Sequence, residues 1–298
     1  MPIRLGNAPV SWGIYEFKDI EAKYLYTRVL DEIRDTGYEG TELGPWGYLP
    51  TDPEVLGGEL ARRGMRLLSA FVPIPFVDPA ALDAGEEHAM QVSKLLAALK
   101  ADSLILTDDN GTVPELIQRA GRRVGSFLNR DQWETYAAGV NRVARKVYDT
   151  YGLKVVFHHH CAGYVETPEE VRSLMDRTDH ALVGLCLDTG HYEYAGGSSL
   201  KAIEEYGERV RYLHFKDCDG GIRKLALDEK IDYFAAVAAG VFCELGKGVV
   251  NFSGILRALD RLGYNGWAVV EQDVLTDDLD APRQSAKRNR EYLKTLGV

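Results

Sequence analysis

Residues 153–160 read LKVVFHHH, residues 182–191 read LVGLCLDTGH, residues 210–217 read VRYLHFKD and residues 264–273 read YNGWAVVEQD. Each is a short apolar run that stops abruptly at an imidazole or a carboxylate. An apolar run of this length, rich in Val and Leu and bounded by glycine or polar residues, fits a strand buried on both faces. Working outward, similar runs occur near residues 3–10, 38–43, 66–72 and 103–107. Amphipathic helical patterns separate them near 19–36, 52–63, 84–100, 131–150, 168–176, 199–206, 252–262 and 282–295. Thr51 with Glu54, Thr167 with Glu170, and Ser253 supply helix-start signals, while Gly152 and Gly263 stand where helices end. Alternation of this kind requires parallel strands joined by right-handed crossovers. Eight such units in 298 residues predict a (β/α)₈ TIM barrel forming a single domain over 1–298. The alternative, an open doubly wound sheet, is weakened because no GxGxxG follows the first strand.

The strand ends then predict chemistry. Glu42 closes the second strand; His158, His159 and His160 close the fifth; Asp188, with His191 three residues on, closes the sixth; His214, Lys216 and Asp217 close the seventh; Glu271 closes the eighth. Five of the seven histidines fall at these positions. An isolated ionisable group there would be costly to bury, but several at one rim can share a divalent cation. A mixed imidazole and carboxylate set suits Mn²⁺, Co²⁺, Fe²⁺ or Zn²⁺, whereas oxygen alone favours Mg²⁺ or Ca²⁺. Strand alternation sends His158 and His160 to one side and His159 to the other. One of His158 and His160 can then be a ligand while its neighbour contacts substrate. Taken singly, each residue has a plainer reading: a hydrogen-bonded histidine, a turn aspartate at Asp188, a Glu42–Lys216 pair. Trp12, Trp46 and Tyr48 are candidates to stack on a sugar ring or simply to pack the rim, and Gly246-Lys247-Gly248 to cradle an anion or simply to turn.

Composition narrows the options. A net charge of −10 with no long basic run argues against nucleic acid as partner. No apolar window is long enough to span a membrane, and the N-terminus reads as a strand rather than a signal peptide, so a cytoplasmic location is expected. Cys161, Cys186, Cys218 and Cys243 form no CxxC pair and are expected as reduced, mostly buried thiols. No GxSxG elbow supports acyl chemistry.

The segments NAPVSWG (7–13), GYEGTELG (37–44), VVFHHHCAGYVETPEEV (155–171), VGLCLDTGHYEYAGG (183–197), VRYLHFKDC (210–218), ELGKGVVNFSGIL (244–256) and YNGWAVVEQD (264–273) together resemble the xylose-isomerase-like sugar isomerase and epimerase superfamily, and within it the inosose dehydratase branch. The resemblance implies one metal ligand from each of strands five to eight, carried to His158, Asp188, His214 and Glu271, with His160 as the fallback on strand five. It implies Mn²⁺ or Co²⁺, with Zn²⁺, Fe²⁺ or Mg²⁺ as alternatives, and a small keto-cyclitol or keto-sugar as substrate. It also implies proton abstraction beside a ketone through an enediolate-like intermediate, followed by dehydration, isomerisation or epimerisation. Glu42 or His160 is the expected base, Glu271 a ligand that can also act as base, and His191 or Lys216 the group that assists the leaving hydroxyl or polarises the substrate. Trp12, Trp46, His160, His191 and Lys216 are expected against the substrate. The branch carries an Asn-Asp-Asp stretch after the first tryptophan; here Trp12 is followed by Gly-Ile-Tyr-Glu-Phe, which keeps 3-keto-glycosides and dehydroshikimate open as substrates. An apurinic-site endonuclease and a non-catalytic sugar-binding barrel are the rival readings. Barrels of this kind often pair, although no interface is legible in the sequence.

Overall fold

In a computed structural model that describes residues 3–15, 23–273 and 277–298, parallel strands form one continuous sheet that closes on itself. They are β1 (Arg4–Asn7), β2 (Gly40–Thr41), β3 in two pieces (Arg66–Leu67 and Phe71–Pro73), β4 (Ser103–Thr107), β5 (Lys154–His158), β6 (Val183–Asp188), β7 (Val210–Phe215) and β8 (Trp267–Val270). Neighbours pair in chain order from β3 to β8, and β8 pairs with β1. The first piece of β3 bonds β2 and the second bonds β4. Between the pieces, Leu68 N–H still donates to Thr41 O, and Ile105 N–H to Ala70 O. One irregular strand therefore joins the two ends, and the expected eight-stranded barrel is closed.

Two apolar layers hold it. Ala8, Leu68, Ile105, Val156, Cys186, Tyr212, Trp267 and Val269 fill the barrel interior. The opposite strand faces pack against the helices, with Val155, Phe157, Leu185, Leu187, Leu213 and Val270 all buried. Each such side chain contributes roughly 1.5–3 kcal/mol on leaving water. The period-two alternation between these layers decides which residues reach the centre of the barrel top.

The helices differ in detail from expectation. The first is seen over Tyr26–Asp35, and the earlier part of the expected 19–36 segment lies partly outside the described residues. Asp52, not Thr51, caps Pro53–Ala61, because Pro53 already fixes the first helical position. Asn251, not Ser253, caps Phe252–Arg261. Thr167 and Glu170 form the expected capping box, and Asn129 with Gln132 forms another. The first strand ends at Asn7, and Pro9–Trp12 is a 3₁₀ turn. The long connection after β4 contains a short helix, Pro114–Arg119, and the one after β7 contains two, Gly220–Asp228 and Tyr233–Ala238. Among the described residues, no helix is long and apolar enough to cross a membrane.

Candidate active site

The interior face carries Val156 and His158 on β5, Cys186 and Asp188 on β6, Tyr212 and His214 on β7, and Val269 and Glu271 at the end of β8. His159 turns outward, stacks edge-on against Tyr192 at 5.3 Å, and accepts the Asp188 N–H at 3.3 Å. The alternation argument thus separates the three histidines correctly.

Asp188 divides its carboxylate between two tasks. Oδ1 accepts the His191 N–H at 2.8 Å and caps the short helix Thr189–Tyr194. Oδ2 faces the centre, 3.6 Å from His158 Nε2, 3.8 Å from His214 Nδ1 and 3.3 Å from Lys216 Nζ. Glu271 Oε2 lies 3.2 Å from His214 Nδ1 and 3.3 Å from Lys216 Nζ. Glu42 pairs with neither Lys216 nor an arginine. Its Oε1 sits 2.9 Å from His214 Nε2, fixing the imidazole from behind. All of these side chains are buried.

Lys216 threads into the same centre. Its ammonium contacts Asp273 Oδ1 at 2.9 Å and His191 Nε2 at 3.2 Å as well as both central carboxylates. Gly190 makes that path possible, since a Cβ there would stand 2.6 Å from Lys216 Cγ. Burial opposes the Lys216 charge, but Asp188, Asp273 and Glu271 hold it well above its ordinary value. Burial likewise opposes ionisation of Glu271, yet His214 and Lys216 hold its carboxyl at about 2. Asp188 is also held low against burial, first by Lys216. Burial pushes the His158, His160 and His191 imidazoles down, which favours their neutral forms.

Neutral imidazoles and ionised carboxylates are the ligand forms of these groups; His158, Asp188 and Glu271 are already in them, whereas His214 is held well above its ordinary value, against burial, by Cys186, Glu271 and Glu42. Both ring nitrogens of His158 are buried with no hydrogen-bond partner, and Asp188 Oδ2 and His214 Nδ1 make only the ion-pair contacts given above. A buried imidazole left without a hydrogen bond is expensive unless something else binds it. Among the described residues, Glu42, His214 and Glu271 form one group with ligand atoms within 4.8 Å of one another, and His158, Cys186 and His214 form a second. The donor chemistry fits a divalent transition metal.

A cavity opens above this centre, lined by His158, His160, His214, Lys216, Glu271 and Asp273, by Tyr15, Phe71, Tyr233 and Phe234, and by Asp109 and Asn110. His160 is on its wall, with Nδ1 at 2.5 Å from the Cys161 carbonyl. His191 lies behind Lys216 and His160, fully buried, and is not on the wall. The expected aromatic platforms are elsewhere. Trp12 is buried and donates Nε1–H to Glu32 at 2.7 Å, because the chain turns away after β1. Trp46 packs edge-on against His88 at 5.9 Å. Gly246 and Gly248 do cradle an anion, but it is internal: their N–H groups donate to Asp217 Oδ2 at 2.8 and 3.0 Å. The Glu16 and Phe17 end of the departure from the branch pattern lies outside the described residues. All four cysteines are free, three of them buried.

Sequence reasoning missed Asp273 and Cys186, although each is two residues from a predicted ligand and shares its face. It also missed Tyr233 and Phe234, for which no periodic signal exists.

The family model described as xylose isomerase-like TIM barrel matches residues 30–296. Inosose dehydratase of Geobacillus kaustophilus (strain HTA426) is 31% identical over 297 residues, covering 99% of this chain and 95% of that protein. Inosose dehydratase of Clostridium beijerinckii (strain ATCC 51743 / NCIMB 8052) is 27% identical over 292 residues, covering 98% and 96%. Among solved structures, the probable 3-DHS dehydratase AsbF of Bacillus anthracis superposes with a TM-score of 0.72 at 15% identity, covering 98% and 99%, a likeness of fold.

Proposed function

The chain belongs to the xylose isomerase-like TIM-barrel family, is a dehydratase-type enzyme of it, and on that premise we propose that it dehydrates a keto-cyclitol, 2-keto-myo-inositol, in a metal-dependent reaction. The observation that carries this reading is the convergence of His158, whose ring nitrogens lack a hydrogen bond, with Asp188, His214 and Glu271 beneath one cavity. His158, Asp188, His214 and Glu271 would hold the ion, Mn²⁺ or Co²⁺ first, with Zn²⁺, Fe²⁺ or Mg²⁺ as alternatives. When bound, it supplies Lewis-acid polarisation of a ketone and its neighbouring hydroxyl.

The chain's own residues do the rest. Glu42 fixes the His214 ring. Lys216, held charged and pinned by Asp188, Asp273 and Glu271, presents a positive charge where enediolate charge develops. His191 sits behind Lys216 and limits its movement. His160, on the cavity wall with Nδ1–H committed to the Cys161 carbonyl, presents Nε2 as base. It takes the C–H proton beside the ketone and returns it to the departing β-hydroxyl, so one proton leaves carbon, one water is released and the base is restored. Phe71 and Phe234 exclude water from the enediolate. The substrate is a small molecule rather than nucleic acid, and the location is cytoplasmic.

The test is metal analysis of protein purified without chelator, then an ultraviolet assay with 2-keto-myo-inositol after stripping and reloading with Mn²⁺ or Co²⁺. About one metal per chain with rising enone absorbance is expected. Metal-dependent exchange of the substrate α-proton with deuterated solvent, without enone, would replace dehydration by epimerisation or isomerisation. Full turnover in the stripped enzyme would overturn the metal-dependent reading.

A further inference from the structure

The barrel register places more than one layer of donors at the centre. His158 on β5 stands opposite Cys186 on β6, whereas Asp188 stands opposite His214 on β7. Cys186 and Asp188 share the interior face, so Cys186 lies one layer deeper than the carboxylate. Its thiol is fully buried, free, and within 4.8 Å of ligand atoms on His158 and His214. Both nitrogens of His158 lack a hydrogen bond, and Nδ1 of His214 makes only ion-pair contacts with Glu271 and Asp188.

We propose that His158, Cys186 and His214 form a second, thiophilic metal position beneath the first, which soft divalent ions such as Cd²⁺ occupy. The upper set offers two carboxylates and is borderline to hard; the lower offers nitrogen and sulfur and selects softer ions. The positions share two imidazoles, so an ion drawn to the sulfur withdraws both from the carboxylates. On ligation the thiol proton leaves to solvent and the sulfur lone pair forms the bond to the metal, with no change of oxidation state. The inference rests on the metal centre proposed above.

The probe is Cd²⁺ added to the chelator-stripped full-length protein, read by thiolate-to-cadmium ultraviolet absorption and by direct binding titration. Wild type is expected to show the absorption, Asp188→Asn to keep it, and both Cys186→Ser and Cys186→Ala to lose it while circular dichroism stays native. Cadmium affinity should fall at least about tenfold in Cys186→Ser while Mn²⁺ affinity changes by less than about twofold. Cadmium bound by wild type without that absorption, or an absorption that survives both cysteine variants, overturns the sulfur position and leaves the upper centre standing. Failure of wild type to bind either Mn²⁺ or Cd²⁺ overturns both.

Discussion

Glu42 is placed to act on the proposed metal centre through its neighbour His214, with which it shares a cluster of candidate ligand atoms. Its oxygen holds His214 Nε2 at 2.9 Å, leaving Nδ1 as the nitrogen that faces Asp188 and Glu271. Such partners set the tautomer and ring angle of the ligand, and their loss usually weakens metal binding about 10–100-fold. Glu42→Ala should therefore lower Mn²⁺ affinity by that range in a calorimetric titration, and Glu42→Gln should recover most of it. An unchanged affinity in Glu42→Ala would remove Glu42 from the site. Gly190 acts by absence. A methyl group at this position would press into Lys216 Cγ and Cβ at 2.6 and 2.9 Å, both in a buried stem that cannot swing into solvent. Gly190→Ala should cost about 1–3 kcal/mol in urea unfolding and depress kcat more than Mn²⁺ affinity. Native stability together with native turnover would show that Lys216 has another route.

At the scale of elements, the loop that follows the short Asp217–Cys218 and Phe242–Cys243 ladder is tied to the C-terminal helix through Glu244. Its Oε1 accepts from Arg288 Nη2 at 2.7 Å, and its Oε2 accepts from Lys247 at 2.8 Å. Burial opposes the charge, but Arg288 and Lys247 hold the Glu244 carboxyl at about 2, below its ordinary 4.5. A lowered folded pKa adds stability above the unfolded value that is lost as pH falls from about 4.5 through about 2. Solvent screening of this half-open clamp leaves about 1 kcal/mol. The gap in unfolding free energy between wild type and Glu244→Gln should be about that size at roughly pH 7 and shrink by more than half at roughly pH 3; a gap independent of pH would exclude the ion pair as its source. The same elements explain what could be read without a structure. Period-two alternation is local, so it separated His159 from His158 and His160 and placed the ends of β5 to β8 on one rim. It says nothing of a long βα connection that folds back, so the arrival of Tyr233 and Phe234 over the cavity was illegible. Trp12 was misplaced for a related reason: the apolar run 3–10 does not reveal that the chain leaves the sheet at Pro9.

For the whole molecule, the proposed ligands stand at the ends of four consecutive strands, β5 to β8. The unfolded chain scatters these groups over more than a hundred residues, so an ion held by all four binds the native barrel alone. Mass action then adds stability that grows with the logarithm of metal concentration, about 3 kcal/mol at a hundredfold excess over Kd. For a chain of this length that corresponds to a rise in Tm of roughly 5 °C or more. Calorimetric scans in Mn²⁺ and in chelator should show this separation for wild type and none for Asp188→Ala, whose own unfolding should remain cooperative. An equal shift in Asp188→Ala would place the stabilising ion outside the barrel centre, and no shift in wild type would mean that the four strands present their donors for some purpose other than a shared ion.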